Sequence, residues 1–136
     1  MTGEAQQDLF EAARVAQTNA HAPYSHFPVG AAIRTATGRV FAGSNVENVS
    51  FPEGICAEAA AIGAMVTAGE DTIVEVLTIA DGDEITTCCG GCRQRLAEFA
   101  DPSTPVHAAG PDGIRRSFTL GELLPAAFGP QHLPPP

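Results

Sequence analysis

Basic side chains are scarce in this chain of 136 residues: seven stand against sixteen acidic ones, for a formal net charge of −9. The seven are scattered along the sequence. Binding to nucleic acid normally needs a basic track to neutralise phosphates, so the charge argues against RNA or DNA as a partner. Long apolar runs are missing too. The most apolar stretch, Ile55 to Gly69, contains Glu58 and is too short to span a bilayer, which argues against a membrane partner. The segment Met1 to Asp8 is polar and acidic and lacks the apolar centre of a signal peptide, so a cytoplasmic protein is expected. There is no internal repeat. The four histidines, His21, His26, His107 and His132, show no paired spacing, and none stands two residues before a glutamate.

What is present suits one domain by length, and the apolar fraction of 44% is ordinary for a globular protein. Residues 1–128 are expected to form that domain, and 129–136 a proline-rich tail in which four prolines block regular structure. Residues 4–20 place Leu9, Ala12, Ala13, Ala16 and Ala20 at helical spacing, ending before Pro23. Val29–Thr35 and Val40–Ser44 read as strands joined by a turn around Thr37-Gly38-Arg39, and an extended loop, 45–54, follows. Ile55–Ala68 is an alanine-rich helix with Gly69 as its C-terminal cap, and Ile73–Ala80 is a buried central strand. A helix over Gly90–Ala100 and a short strand over Val106–Ala109 come next. The turn Pro111-Asp112-Gly113 then leads to an edge strand, Arg115–Phe118, and a last short helix over 121–127. This order predicts an α/β protein, a three-layer α-β-α sandwich around a mixed sheet of about five strands. The sheet should begin with an antiparallel hairpin, and the later helical crossovers should make parallel neighbours.

A cytoplasmic protein keeps its thiols reduced, so the four cysteines require a role other than disulfides. Two segments carry three of them, Cys56-Ala57-Glu58 and Cys89-Gly90-Gly91-Cys92, each at an expected helix start. A Cys-x-x-Cys pair puts two sulfurs on one side of a helix's first turn, and Cys56 can add a third from the neighbouring helix. Three protein ligands leave the fourth tetrahedral position of a zinc ion open for water, as in a catalytic site. Zinc lowers the pKa of bound water from 15.7 towards ~7. Glu58, two residues beyond Cys56, can face that water without coordinating the metal, take its proton and deliver it to a substrate nitrogen. Three thiolates and Zn²⁺ sum to a negative charge, which two helix N-termini of roughly +0.5 each would offset. Cys-x-x-Cys alone is shared with redox dithiols and structural zinc sites. Combined with Cys-x-Glu about thirty residues earlier, it matches the pattern of zinc deaminases.

On these residues the sequence resembles the cytidine deaminases of the small, homotetrameric kind. The likeness runs in order through Phe27–Ala32, Gly43–Asn48, Cys56–Glu58, Cys89–Gln94 and Gly121–Pro125, nearly the whole chain. The resemblance implies hydrolytic deamination of cytidine and deoxycytidine to uridine, deoxyuridine and ammonia, as in pyrimidine salvage. The alternative substrate is a modified or N4-substituted cytosine nucleoside or a nucleoside antibiotic. It implies one Zn²⁺ per subunit on Cys56, Cys89 and Cys92, with Glu58 as proton shuttle. Phe27 would pack on the pyrimidine, Asn45 and Glu47 would bind ribose hydroxyls, and the backbone of Ala57 would touch the amine region. Phe51 and Phe128 would close the pocket from neighbouring subunits of a homotetramer. Read without the resemblance, Asn45 and Glu47 share one face of an extended segment and could grip a diol, or else shape a turn. A phenylalanine such as Phe27 belongs more often to the core than to a stacking platform.

Two positions depart from the family pattern. Cys88 stands where most members have proline. It shares a helical face with Cys92, so spacing leaves it open as a ligand, although the two-residue gap favours Cys89; its other role is that of a small buried residue. Ala59 stands where many members carry an arginine that helps neutralise the thiolates. Arg93 or Arg95 must substitute, or the helix termini suffice, and Arg93 is expected to matter more.

Overall fold

The computed structural model describes residues 2–136. Helix α1 (Thr2–Thr18) leads into a hairpin of β1 (Val29–Thr35) and β2 (Val40–Ser44). Then come α2 (Ala57–Thr67), β3 (Ile73–Ala80), α3 (Gly90–Ala97), β4 (Pro105–Gly110), β5 (Gly113–Thr119) and one turn of helix, α4 (Leu120–Leu123). The strands form a single sheet in the order β2-β1-β3-β4-β5. β1 pairs antiparallel with both β2 and β3, β3 parallel with β4, and β4 antiparallel with β5.

The mixed sheet and its opening hairpin are as the sequence predicts, but the crossovers differ in one respect. Only the α3 crossover produces parallel neighbours. The α2 crossover carries the chain past β1, so β3 joins the free edge of β1 instead of lying beside β2. Burial explains the choice. β1 and β3 are buried along most of their length and occupy the interior, whereas the half-exposed β2 tolerates an edge.

Side chains alternate across the sheet, and helices cover both faces. On one face Leu9 and Ala13 of α1 meet Ala32, Leu77, Ile79 and Ala109. On the other, Ala61 and Met65 of α2 and Leu96 of α3 meet Ile33, Val76 and Val106. Burying each large apolar side chain in these layers contributes roughly 1.5–3 kcal/mol. Glycines let α1 and α2 approach the strands closely. A Cβ on Gly30 would lie 2.0 Å from the Ala13 carbonyl oxygen of α1. One on Gly43 would lie 2.5 Å from both the Ala57 carbonyl oxygen and the Ala61 nitrogen. Gly43 therefore seats the first turn of α2, the turn that carries Glu58, directly on β2.

All four helices end earlier than the pattern suggests, α2 by a single residue at Thr67. α1 stops at Thr18, two residues short of Ala20. α3 stops at Ala97 because the chain turns to join the sheet: the Phe99 carbonyl accepts from the Ile73 amide, and Ala100 bridges to Ile73. α4 is confined to Leu120–Leu123, since Pro125 follows and Ala126 adopts a left-handed φ of 52°. Its start carries a legible signal, a capping box between Thr119 and Glu122. Gly69 has a φ of +89°, as a C-terminal cap requires. Among the described residues, no helix is long and apolar enough to cross a membrane.

Candidate active site

Cys56 and Cys89 are the residues immediately before α2 and α3, and both have extended backbones. Their side chains therefore start at the N-terminal ends of two helices, where unpaired amides and partial positive charge favour sulfur anions. Cys92 sits one turn into α3 and is fully buried. The Cys56 and Cys89 sulfurs are 3.7 Å apart, and the sulfurs of Cys56, Cys89 and Cys92 all lie within 4.8 Å of one another. A tetrahedral zinc ion with Zn–S bonds of about 2.3 Å separates its sulfurs by about 3.8 Å, so this donor set fits one. Burial pushes the Cys92 thiol above its ordinary range, and the Glu58 charge adds to the shift. A cation bound among the sulfurs would offset the repulsion between three thiolates and the neighbouring Glu58 carboxylate.

The fourth cysteine stands apart. Cys88 is buried in the α2–α3 core and does not belong to the sulfur cluster. Burial pushes its thiol up to about 11. Of the two residues that spacing left open, Cys89 is the one beside Cys56 and Cys92.

The arginines fall opposite to expectation. Arg93 spends its guanidinium on the Cys88 carbonyl (2.9 Å), the Leu123 carbonyl (2.8 Å) and the Thr87 hydroxyl (2.7 Å). Its role is to tie α3 to α4 and to the preceding loop. Arg95 instead brings Nη1 to 3.4 Å from the Cys92 sulfur. One turn of helix separates Arg95 from Cys92, which puts the two on the same face.

Glu58 lies in the first turn of α2 and is 3% exposed. Its Oε2 accepts a 2.9 Å hydrogen bond from the hydroxyl of Thr78 in β3. Sequence reasoning missed Thr78. The available sign was a lone hydroxyl within the apolar run Val76–Ala80.

Cys56, Ala57, Glu58 and Cys89 line a cavity of about 410 Å³ together with Phe27, Asn45, Glu47 and Phe51. Its volume is that of a small-molecule site. Phe27 is 41% exposed and faces this cavity, so it is not a core residue. Isolated bridges from Val46 to His21 and Ile55 keep the segment around it extended. Asn45 and Glu47 thus share a face, and they also shape the neighbouring loop. Asn45 accepts from the Val29 amide (2.9 Å) and donates to the Phe27 carbonyl (3.0 Å). Glu47 accepts from the amides of Tyr24 (3.0 Å) and Ser25 (3.1 Å) and from the Ser25 hydroxyl. The Ser25 hydroxyl, then the Ser25 amide, hold the Glu47 carboxyl below the ordinary range. Phe51 is 75% exposed with its ring against Tyr24. Phe128 does not reach the cavity of its own chain; it stacks on His132 with ring centroids 5.3 Å apart.

A family model describing the cytidine and deoxycytidylate deaminase zinc-binding region matches residues 3–108. A cytidine deaminase of Sporosarcina psychrophila is 35% identical over 127 residues, covering 93% of each chain. A cytidine deaminase of Mycobacterium tuberculosis is 39% identical over 119 residues, covering 88% of this chain and 86% of its own. The crystal structure of a cytidine deaminase from Burkholderia pseudomallei superposes with a TM-score of 0.85 at 38% identity, covering 90% of this chain and 98% of that one.

Proposed function

This chain belongs to the zinc-binding cytidine and deoxycytidylate deaminase family, and we propose that Glu58 moves the protons of its reaction beside a zinc ion held by Cys56, Cys89 and Cys92. The reaction is the hydrolysis of cytidine to uridine and ammonia. The observation that carries the assignment of roles is a cluster of three sulfurs, two of which, Cys56 and Cys89, line one cavity together with the buried carboxylate of Glu58.

Cys56, Cys89 and Cys92 would hold a zinc ion, which when bound would supply Lewis acidity and lower the pKa of a water molecule towards ~7. The Glu58 carboxylate takes the proton and delivers it to N3 of the cytosine ring, which makes C4 electrophilic. The oxygen of the water adds at C4, and the same carboxylate then carries the proton of the new C4 hydroxyl to the amine, which leaves as ammonia as the C4 carbonyl forms. Cytidine and water are consumed; uridine and ammonia are produced. Phe27 packs on the pyrimidine, Asn45 and Glu47 meet the ribose hydroxyls, and the Ala57 backbone meets the amine region. Deoxycytidine is a substrate on the same reading, since the shared atoms are those of the base. Phe128 closes the pocket from a neighbouring subunit of a homotetramer, whereas Phe51 closes it from its own chain, whose cavity it lines. Phe128 is 58% exposed in a single chain and lies outside its own cavity, which leaves its ring available to a neighbour.

The same reading gives a cytoplasmic enzyme of pyrimidine salvage, with neither nucleic acid nor membrane as partner and with its four cysteines unpaired. Residues 1–128 form its domain and 129–136 its tail.

The test follows ultraviolet absorbance on addition of cytidine, deoxycytidine, cytosine, CMP and N4-methylcytidine, with and without a zinc chelator. Cytidine and deoxycytidine are expected to turn over, with activity lost to the chelator and restored by zinc. Full turnover in metal-free protein overturns the reading, and preference for N4-methylcytidine shifts the substrate to the modified nucleosides.

A further inference from the structure

We infer that Thr78 is a positioning residue for this reaction: its hydroxyl holds one oxygen of Glu58 so that the other faces the substrate. This rests on Glu58 being the proton carrier.

Thr78 is the central residue of a row that crosses three strands. It pairs with Ala31 of β1 on one side and with Ala108 of β4 on the other. All three residues are buried, at 0%, 2% and 3% exposure for Ala31, Thr78 and Ala108. Of this row only Thr78 lines the cavity, and its neighbours on either side are the small side chains of alanine. The Thr78 hydroxyl donates to Glu58 Oε2 at 2.9 Å.

A buried carboxylate without donors is strongly disfavoured in its charged form. Among the described residues, the Thr78 hydroxyl is the side-chain donor that Glu58 has. Glu58 Oε1 has no partner there, and it is not among the buried unpartnered atoms, so its lone pairs face the cavity that Glu58 lines. One oxygen is therefore tethered and the other is free to exchange protons. Threonine suits the tether because its branched side chain is restricted at χ1 in a strand, which keeps the hydroxyl aimed. Valine has the same shape and no donor. Without the tether, the carboxylate can rotate and offer either oxygen, or neither, at the distance proton transfer requires.

The experiment compares Thr78→Val, Thr78→Ala and Thr78→Ser with the unaltered enzyme and with Glu58→Gln, each assayed on cytidine with zinc content and thermal midpoint measured. Thr78→Val is expected to keep zinc and KM while kcat falls about tenfold, the scale of one lost hydrogen bond to a charged group. Thr78→Ser is expected to recover most of kcat, and Thr78→Ala to fall with the valine variant, which supplies the answer should valine fold poorly. A purely structural role predicts that kcat follows the thermal midpoint and that serine gives no rescue; that result overturns the inference. Unchanged kcat in the zinc-loaded valine variant, with Glu58→Gln inactive, overturns the positioning role alone. An active Glu58→Gln variant instead removes the assignment of Glu58 on which it rests.

Discussion

The sulfurs of Cys56 and Cys89 lie 3.7 Å apart although 33 residues separate them in the chain. Each belongs to the residue that opens a different helix, so one sulfur site depends on two helix starts packed side by side. Cys92 completes it from within the second helix.

Substitution separates the two adjacent cysteines. Cys89→Ala is expected to lose both bound zinc and cytidine turnover. Cys88→Ala is expected to retain both, with a stability loss of about 1–2 kcal/mol for the small cavity left in the α2–α3 core. Metal analysis by mass spectrometry on the two purified variants decides between them, and the reverse pattern would refute the ligand assignment.

Arg95 supplies a positive charge 3.4 Å from the Cys92 sulfur, where Arg93 makes none of its bonds. Removing groups that support metal ligands typically costs about 10–100-fold in metal affinity. Arg95→Ala is expected to give up zinc to a competing chelator about tenfold more readily. Arg93→Ala should lower the thermal midpoint instead, because two carbonyls and a hydroxyl lose their donor. Chelator titration of both variants, at equal folded fraction, is the check.

Glu47 gives a pH effect whose sign follows from its environment. The Ser25 hydroxyl and amide hold its carboxyl below the ordinary range. A carboxyl depressed in the folded state stabilises above its unfolded value, about 4.3, and that contribution fades as acid takes the pH through the lower folded value. The Tyr24–Ser25 turn should therefore stay intact at neutral pH and loosen only in acid. The amide resonances of Tyr24 and Ser25, followed by NMR, should move in that acid range. In a Glu47→Gln variant they should no longer titrate with this group.

Gly43 sets how deeply α2 sits on the sheet. A Cβ there would lie 2.5 Å from backbone atoms of Ala57 and Ala61, which cannot swing aside as a side chain can. Gly43→Ala is expected to destabilise by about 1–3 kcal/mol and to reduce zinc retention, since it displaces the turn holding Cys56 and Glu58. Thermal unfolding at fixed protein concentration, with zinc analysis, measures both. Gly63→Ala has open space at the same helix and serves as the control.

Local spacing was enough to read the elements and the reactive groups. Apolar periodicity marked the helices and strands, while Cys-x-x-Cys and Cys-x-Glu placed three thiols and a carboxylate at helix starts. These patterns depend on the geometry of single turns, which short stretches of chain dictate. Packing between distant segments decided the rest. It chose β1 over β2 as the neighbour of β3, because the more apolar strands take the interior. It turned Cys88 into the core and Arg93 towards carbonyls, leaving Cys89 and Arg95 at the sulfur site. It also set Thr78 beneath Glu58, a contact between residues 20 positions apart that no local pattern encodes.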